Sequence, residues 1–225
     1  METPYRNREN AGQDLAKRLK TYVNGPDGVV LALPRGGINV AFEVAKALNL
    51  PLDVVVVRKL GVPDQPELAM GAIASGGVRV LNQQLMRQAQ ISNERIESVA
   101  QQEVKELMRQ ERLYRNGRPP VDLEHKTVIL IDDGLATGAT MRAAITAIRE
   151  QKPQQIIIAV PVATPSMCQE LESEVDEIIC LKTPEPFISV GTWYDDFSQT
   201  TDEEVIQLLS RAKKRQQNSK GHSTI

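Results

Sequence analysis

Cysteine and histidine are scarce in this sequence, which contains two of each among 225 residues. Cys168 and Cys180 belong to no CxxC pair or metal-ligand cluster, and we expect them to be buried free thiols. His125 and His222 are too few for a histidine-based metal site or a Ser-His-Asp triad. The sequence therefore excludes these two classes of site.

Long apolar runs are also missing, and the first 20 residues are polar, unlike a secretory leader. The formal net charge is only −2, which argues against a protein that coats nucleic acid. We expect a cytoplasmic protein that acts on small molecules, without nucleic-acid or membrane partners.

The most informative stretch runs from Thr127 to Arg149. The apolar run 127–131 predicts a strand buried on both faces, and Met141, Ile145 and Ile148 have helical spacing. The nine residues between these segments must form a tight loop at the carboxyl end of the strand, where open α/β sheets bind their ligands. A strand, loop and helix are therefore predicted here.

This loop combines two kinds of chemistry. Asp132 and Asp133 can accept hydrogen bonds from neighbouring hydroxyls or hold a hydrated cation. Thr137 and Thr140 stand where the helix begins, and the unpaired N–H groups of a helix start attract anions. A diol next to a phosphate would satisfy both halves. The alternative is an ordinary Asp-Gly turn with a capping Thr, and the residues match neither a Walker loop nor a dinucleotide fingerprint.

The segment from Val128 to Thr140 closely resembles the signature of type I phosphoribosyltransferases, which bind 5-phosphoribosyl 1-pyrophosphate (PRPP). The resemblance implies that Asp132 and Asp133 hold the ribose hydroxyls. It also implies that the 5-phosphate is cradled by Ala136, Thr137, Gly138, Ala139 and Thr140.

Five apolar strands alternate with helices around this signature, which predicts an α/β fold with a parallel sheet covered on both faces. The resemblance implies the specific phosphoribosyltransferase topology. We expect one domain over 1–215, with a helical insertion at 82–118, a small C-terminal hood at 183–200 and a disordered tail at 216–225. The insertion either packs an apolar stripe on the core and exposes its charged face to solvent, or serves as a homodimer contact or a partner-binding arm.

Two further loops carry candidate anion ligands. In the first, Arg35, Gly36 and Gly37 follow an apolar strand, and this is either a plain turn with a solvated Arg or an anion site. In the second, Arg58 and Lys59 end the apolar strand 53–57, where Lys59 could instead extend to solvent. The resemblance implies that all five residues bind pyrophosphate, the first loop often through a cis peptide.

A segment rich in Pro, Gly and Asp follows Lys59 and resembles the mobile flap of the family. Hypoxanthine- and guanine-type members carry an Asp where this chain has Ala136, so Ala136 resembles the adenine-type pattern. The resemblance therefore implies that a general base would come from Glu67 or Asp64. The candidate catalytic residues are Asp132, Asp133 and Glu67.

Aromatic residues make up only 4% of the chain, yet several gather between 187 and 197. The cluster is either a satellite hydrophobic core or a platform on which a planar base stacks. It resembles the base-binding segment of purine-salvage members, with one extra residue of spacing. The resemblance thus implies four candidate base-binding residues: Phe187, Trp193, Tyr194 and Asp195.

Together these features predict a Mg²⁺-dependent transferase of nucleotide salvage that moves the phosphoribosyl group of PRPP to a purine-like base and releases pyrophosphate. Magnesium would be held mainly through the substrate, with Asp132 and Asp133 as candidate direct ligands. The alternatives are a non-catalytic regulator that binds PRPP or a nucleotide in the same pocket, a PRPP hydrolase, or a transferase to a non-base acceptor.

Overall fold

The computed structural model describes residues 3–221, with side chains at all of these positions except 66, 67, 84 and 219–221. The strands are β1 (Gly28–Ala32), β2 (Leu52–Val54), β3 (Val57–Val62), β4 (Gln65–Ala74), β5 (Val78–Leu81), β6 (Thr127–Ile131), β7 (Gln155–Val162) and β8 (Glu177–Lys182). The α-helices are α1 (Arg8–Arg18), α2 (Gly37–Leu48), α3 (Gln83–Gln88), α4 (Asn93–Arg115), α5 (Ala139–Arg149), α6 (Pro165–Glu172) and α7 (Asp202–Gly221). Within this range no helix combines the length and the apolar character needed to cross a membrane.

The central sheet has the order β2-β1-β6-β7-β8, and all of its neighbouring strands are parallel. Alternate residues of β6 face opposite sides of this sheet. Ile129 and Ile131 pack in a core with α1, α2, α4 and α7, whereas Val128 and Leu130 pack in a second core with α5 and α6. Strands covered on both faces are apolar throughout. The predicted α/β fold with a five-stranded parallel sheet is confirmed.

Strands β3, β4 and β5 form a separate antiparallel sheet. The prediction that Arg58 and Lys59 end a strand of the central sheet is wrong, because both lie inside β3. The chain leaves the central sheet at Val56, whose N–H donates to Ser75 Oγ at 2.9 Å while its carbonyl accepts from Ser75 N at 2.8 Å. The turn at Pro63 and Asp64 joins β3 to β4.

The predicted insertion consists of α3 and α4, and the Ser92 side chain caps the start of α4. Its last residue, Arg115, is buried and donates to Asp53 at 3.1 Å and to the Val54 carbonyl at 2.7 Å. Because Arg115 links α4 to β2, the helix extends from the central sheet to the antiparallel sheet. Homodimer formation through the insertion stays a prediction.

Two other expectations are wrong. Cys168 and Cys180 are not free thiols, because α6 packs beside β8 and a disulfide joins the two cysteines. Residues 216–221 are helical where the sequence predicted disorder. Thr201 and Glu204 form a capping box at the start of α7, and the helix, once started, propagates through residues that favour helices. Residues 222–225 lie outside the described range.

Candidate active site

The loops after β1 and β6 lie against each other at the carboxyl edge of the central sheet. A side chain at Gly36 would collide with Asp133, whose Cγ would lie 2.8 Å from the added Cβ. A Cβ at Gly37 would lie 2.9 Å from the Ile131 carbonyl oxygen and 3.0 Å from Asp132 Cα. The peptide bond between Pro34 and Arg35 is cis, as the resemblance implied. The two glycines therefore permit the close approach of the acidic loop.

Asp132 and Asp133 stand side by side, and the Asp133 N–H donates to Asp132 Oδ1 at 2.8 Å. Burial and the neighbouring Asp133 charge raise the pKa of Asp132 well above its usual range. Burial also raises the pKa of Asp133, although a hydrogen bond from Arg8 opposes that shift. Two partly buried carboxylates in contact are costly to ionise, which is typical of a site arranged for a ligand.

Arg8 holds Asp133 from the start of α1. Its Nε donates to Asp133 Oδ2 at 2.7 Å, and its Nη1 donates to the Ser198 carbonyl at 2.8 Å. The guanidinium carbon lies 3.8 Å from the centre of the Phe197 ring. The side chains of Arg8 and Asp133 are only 11% and 15% exposed. This ion pair is therefore largely shielded from water, and screening by salt is weak.

The predicted phosphate loop leads directly into α5. Gly138 has a φ of 71°, in the left-handed region that glycine favours, and immediately precedes the helix. Ala136, Thr137, Ala139 and Thr140 are exposed. The start of α5 thus lies at the protein surface, where the unpaired N–H groups of a helix start attract anions. Thr137 and Ala139 also border a cavity of about 260 Å³ whose other wall includes residues of β4 and β5.

Two of the positively charged residues predicted to bind pyrophosphate, Arg35 and Arg58, form ion pairs with carboxylates of the protein. Arg35 lies 3.8 Å from Asp202 at the start of α7. Arg58 Nε donates to Glu103 of α4 at 2.7 Å. Lys59 lines a cavity of about 570 Å³ together with Arg58 and Glu103. The two loops do not converge as neighbouring ends of one sheet, because Arg58 and Lys59 belong to the antiparallel sheet.

The two candidate general bases lie in the β3–β4 hairpin. Asp64 occupies the turn, is 82% exposed and forms an ion pair with Arg95 of α4. The backbone of Glu67 lies in β4, whereas its side chain lies outside the described residues. The role of either carboxylate stays a prediction.

The aromatic cluster 187–197 is partly a small core. Tyr194 is 5% exposed, its ring stacks on Phe197 with centroids 5.1 Å apart, and it packs against Tyr5 at 5.8 Å. Its hydroxyl donates to the Asp133 carbonyl. Tyr194 thus supports the acidic loop, and its ring faces are taken by other rings. This packing disfavours its predicted role in base stacking.

The other three candidates for base binding differ in exposure. Phe187 and Trp193 are partly buried at the edge of the same cluster. The Trp193 Nε1 atom is buried, and the described part of the chain offers it no hydrogen-bond acceptor. Asp195 is exposed, and its N–H donates to the Tyr5 carbonyl at 2.8 Å. Phe187 and Trp193 therefore remain the better candidates for a stacking surface.

The sequence interpretation missed Arg8, which contacts Asp133, Ser198, whose carbonyl accepts from Arg8, and Tyr5, which packs against Tyr194. No local pattern marks Arg8, because 125 residues separate it from Asp133.

A family model described as the phosphoribosyl transferase domain matches residues 4–196. Proteins from two Mycobacterium tuberculosis strains, both provisionally named phosphoribosyl transferases, are 45% identical over 205 residues, covering 91% of this chain and 46% of each relative. The chain thus spans about half the length of these curated relatives. The solved structure of Thermus thermophilus protein TT1426 is 38% identical, with a TM-score of 0.78 and coverage of 93% of this chain and 99% of that one. The chain belongs to the phosphoribosyl transferase domain family.

Proposed function

We propose that this chain transfers the 5-phosphoribosyl group of PRPP to a ring nitrogen of a purine-like base and releases pyrophosphate. The observation that carries the proposal is the contact between the Gly36-Gly37 loop and the acid pair Asp132 and Asp133, with the anion-attracting start of α5 directly after. This arrangement offers a diol acceptor between two sites for phosphate groups, which matches the chemical groups of PRPP.

The reaction breaks the bond between ribose C1 and the pyrophosphate oxygen, and the electron pair leaves with pyrophosphate. The sugar then has oxocarbenium character, which the carboxylates of Asp132 and Asp133 would stabilise electrostatically while they hold the hydroxyls. The acceptor nitrogen forms the new bond to C1 and loses its proton. Glu67 and Asp64 are the proposed acceptors of that proton, because Ala136 offers none.

Magnesium fits this site as an ion held mainly by the substrate. Mg²⁺ prefers oxygen ligands and retains several waters, and Asp132 and Asp133 supply carboxylate oxygens where the ribose is expected. Among the described side chains, no cluster of three or more His, Cys, Asp and Glu is arranged to hold a metal by itself. When bound, the ion would offset the negative charge on the pyrophosphate.

Phe187 and Trp193 are proposed to contact the base, because an indole and a phenyl ring offer stacking surface. Both side chains are only partly buried, so part of each ring is open to a base.

The test is pyrophosphate release from PRPP and Mg²⁺ with a panel of purine and pyrimidine bases, together with thermal shifts by PRPP, since a ligand of the folded state raises its apparent stability. The double variant Asp132→Asn, Asp133→Asn should lose turnover. The control is Asp14→Asn on the exposed side of α1, which should keep it. Undiminished activity of the double variant would reject the assignment.

A second candidate function is a non-catalytic PRPP sensor. The specific observation in its favour is that Arg35 and Arg58 are paired with Asp202 and Glu103, so that anion binding would exchange these contacts and could signal through α4. PRPP binding without pyrophosphate release on any acceptor would support the sensor.

A further inference from the structure

Arg8 connects the acidic loop at Asp133 with the end of the aromatic segment 187–197, two features that are far apart in the sequence. Its Nε contacts the Asp133 carboxylate at 2.7 Å, and its Nη1 contacts the Ser198 carbonyl at 2.8 Å, directly after the aromatic segment. The guanidinium also stacks on Phe197, which itself stacks on Tyr194. Because the Arg8 side chain is only 11% exposed, it has little freedom to leave this position.

This geometry holds the Asp133 carboxylate in place and leaves most of its hydrogen-bond acceptor positions unoccupied. An ionised carboxylate has about four acceptor positions on its two oxygens, and the Arg8 Nε takes one of them on Oδ2. A guanidinium is rigid and planar, so its contact restricts rotation of the Asp133 carboxylate. The remaining acceptor positions then have a fixed direction, which lowers the ordering cost when a hydroxyl binds.

Resting on the function proposed above, we propose that Arg8 is a positioning residue for the ribose diol: it orients Asp133 towards the sugar hydroxyls and ties that carboxylate to the aromatic hood. Arg8 acts through Asp133 and makes no contact with the reacting atoms. A ribose hydroxyl is uncharged, so the positive charge of Arg8 does not repel it. In the absence of substrate, the positive charge of Arg8 also offsets part of the negative charge of the acid pair.

The experiment measures binding of three probes by calorimetry: ribose 5-phosphate, 2,3-dideoxyribose 5-phosphate and inorganic phosphate. The variants are Arg8→Gln, which removes the charge, and Arg8→Lys, which keeps it. The matched control is Arg6→Gln, an exposed residue two positions away that undergoes the same change. Melting temperatures and the affinity for inorganic phosphate report whether each variant keeps its fold.

We expect Arg8→Gln to weaken ribose 5-phosphate binding about tenfold, by analogy with the loss of residues that orient metal ligands. Its affinity for the dideoxy sugar and for inorganic phosphate should stay unchanged, since neither uses the diol site. Arg8→Lys should recover part of the loss, and Arg6→Gln should match the wild type. In steady-state assays, Arg8→Gln should also raise the KM for PRPP while the KM for the base stays the same.

Unchanged or tighter ribose 5-phosphate binding by Arg8→Gln would overturn the proposal, because Arg8 would then be neutral or a competitor for Asp133. An equal loss for all three probes would overturn it as well, since that result indicates general damage. A wild type that binds ribose and dideoxyribose 5-phosphates equally would reject both the diol site and Arg8. If the selective loss is observed but no base accepts the phosphoribosyl group, only the transfer reaction is rejected.

Discussion

Replacing Gly36 by Ala tests the site with a single methyl group. Gly36 has φ −59° and ψ −41°, a conformation that Ala adopts readily, so the backbone itself does not oppose the change. The added Cβ would lie 2.8 Å from Asp133 Cγ and still closer to Oδ2. The expected effect is therefore confined to the acidic carboxylate and its contacts.

The size of the effect follows from this distance. Nonbonded carbon atoms pack at about 3.5 to 4.0 Å, so the Asp133 carboxylate has to move by about 1 Å. Such a movement breaks the 2.7 Å contact with Arg8 Nε or rotates the acceptor positions away from the ribose. A displacement of about 1 Å can cost about 100-fold in rate. We expect a loss of that order in kcat/KM for PRPP.

The assay compares initial rates and PRPP affinity of the wild type, Gly36→Ala and Gly25→Ala. Gly25 is the control because its added Cβ would meet the Tyr22 carbonyl oxygen at 3.4 Å and the Gly28 nitrogen at 3.9 Å, and neither atom belongs to the acid pair. A melting temperature close to that of the wild type should accompany the loss in Gly36→Ala. If this variant binds PRPP within twofold of the wild type, the close approach of the two loops has no role in substrate binding.

Three other changes have defined outcomes. Glu103→Gln should tighten PRPP binding about threefold, because a partly exposed ion pair is worth about 0.5 kcal/mol or slightly more and Arg58 would meet the anion without a competing charge. Reduction of the Cys168–Cys180 bridge should lower the free energy of unfolding by about 3 kcal/mol in the loop-entropy account, given a sequence separation of 12. Asp132→Asn should raise the unfolding free energy at pH 8 in EDTA, because the folded state raises the pKa of this aspartate and ionisation then costs stability. The gain should shrink as the pH falls towards the ordinary aspartate pKa of about 3.9.

Each of these changes has its control. Glu94→Gln, at the exposed start of α4, should leave PRPP affinity unaltered, and weaker binding by Glu103→Gln would contradict the competition. A variant with serine at both 168 and 180 should have the same free energy of unfolding with and without reductant. If reductant does not change the free energy of unfolding of the wild type either, the bridge does not contribute to stability. A stability gain of Asp132→Asn that is independent of pH would contradict a raised pKa as its source.

Local sequence was sufficient for the core of the fold and for the acid loop. Residues 128–131 are all apolar because both faces of β6 are covered, and that pattern needs no long-range information. The glycine at 138 and the hydroxyls around it similarly mark the start of α5. The family resemblance then supplied the chemistry that the pattern alone left open.

Long-range contacts explain what the sequence did not reveal. The apolar run 53–57 predicts a strand, but it cannot tell which sheet each residue joins, and the pairing of Val56 with Ser75 divides it between two sheets. Formation of a disulfide depends on how α6 packs against β8, which spacing does not encode. Arg8 reaches Asp133 only because α1 packs on the central sheet with its first residue beside the acidic loop.

Two ion pairs, Arg8–Asp133 and Arg58–Glu103, lie in the proposed site of the free protein. We expect them to have opposite effects on the affinity for PRPP. Arg8 contacts a carboxylate whose proposed ligand is a neutral diol, so in our proposal the pair orients Asp133 without repelling the substrate. Glu103 contacts a cation whose proposed ligand is pyrophosphate, so an anion that approaches Arg58 would meet a carboxylate of like charge. The charge of the incoming group therefore decides whether an existing ion pair helps or hinders binding. For this reason removal of Arg8 should weaken PRPP binding, whereas removal of the Glu103 charge should strengthen it.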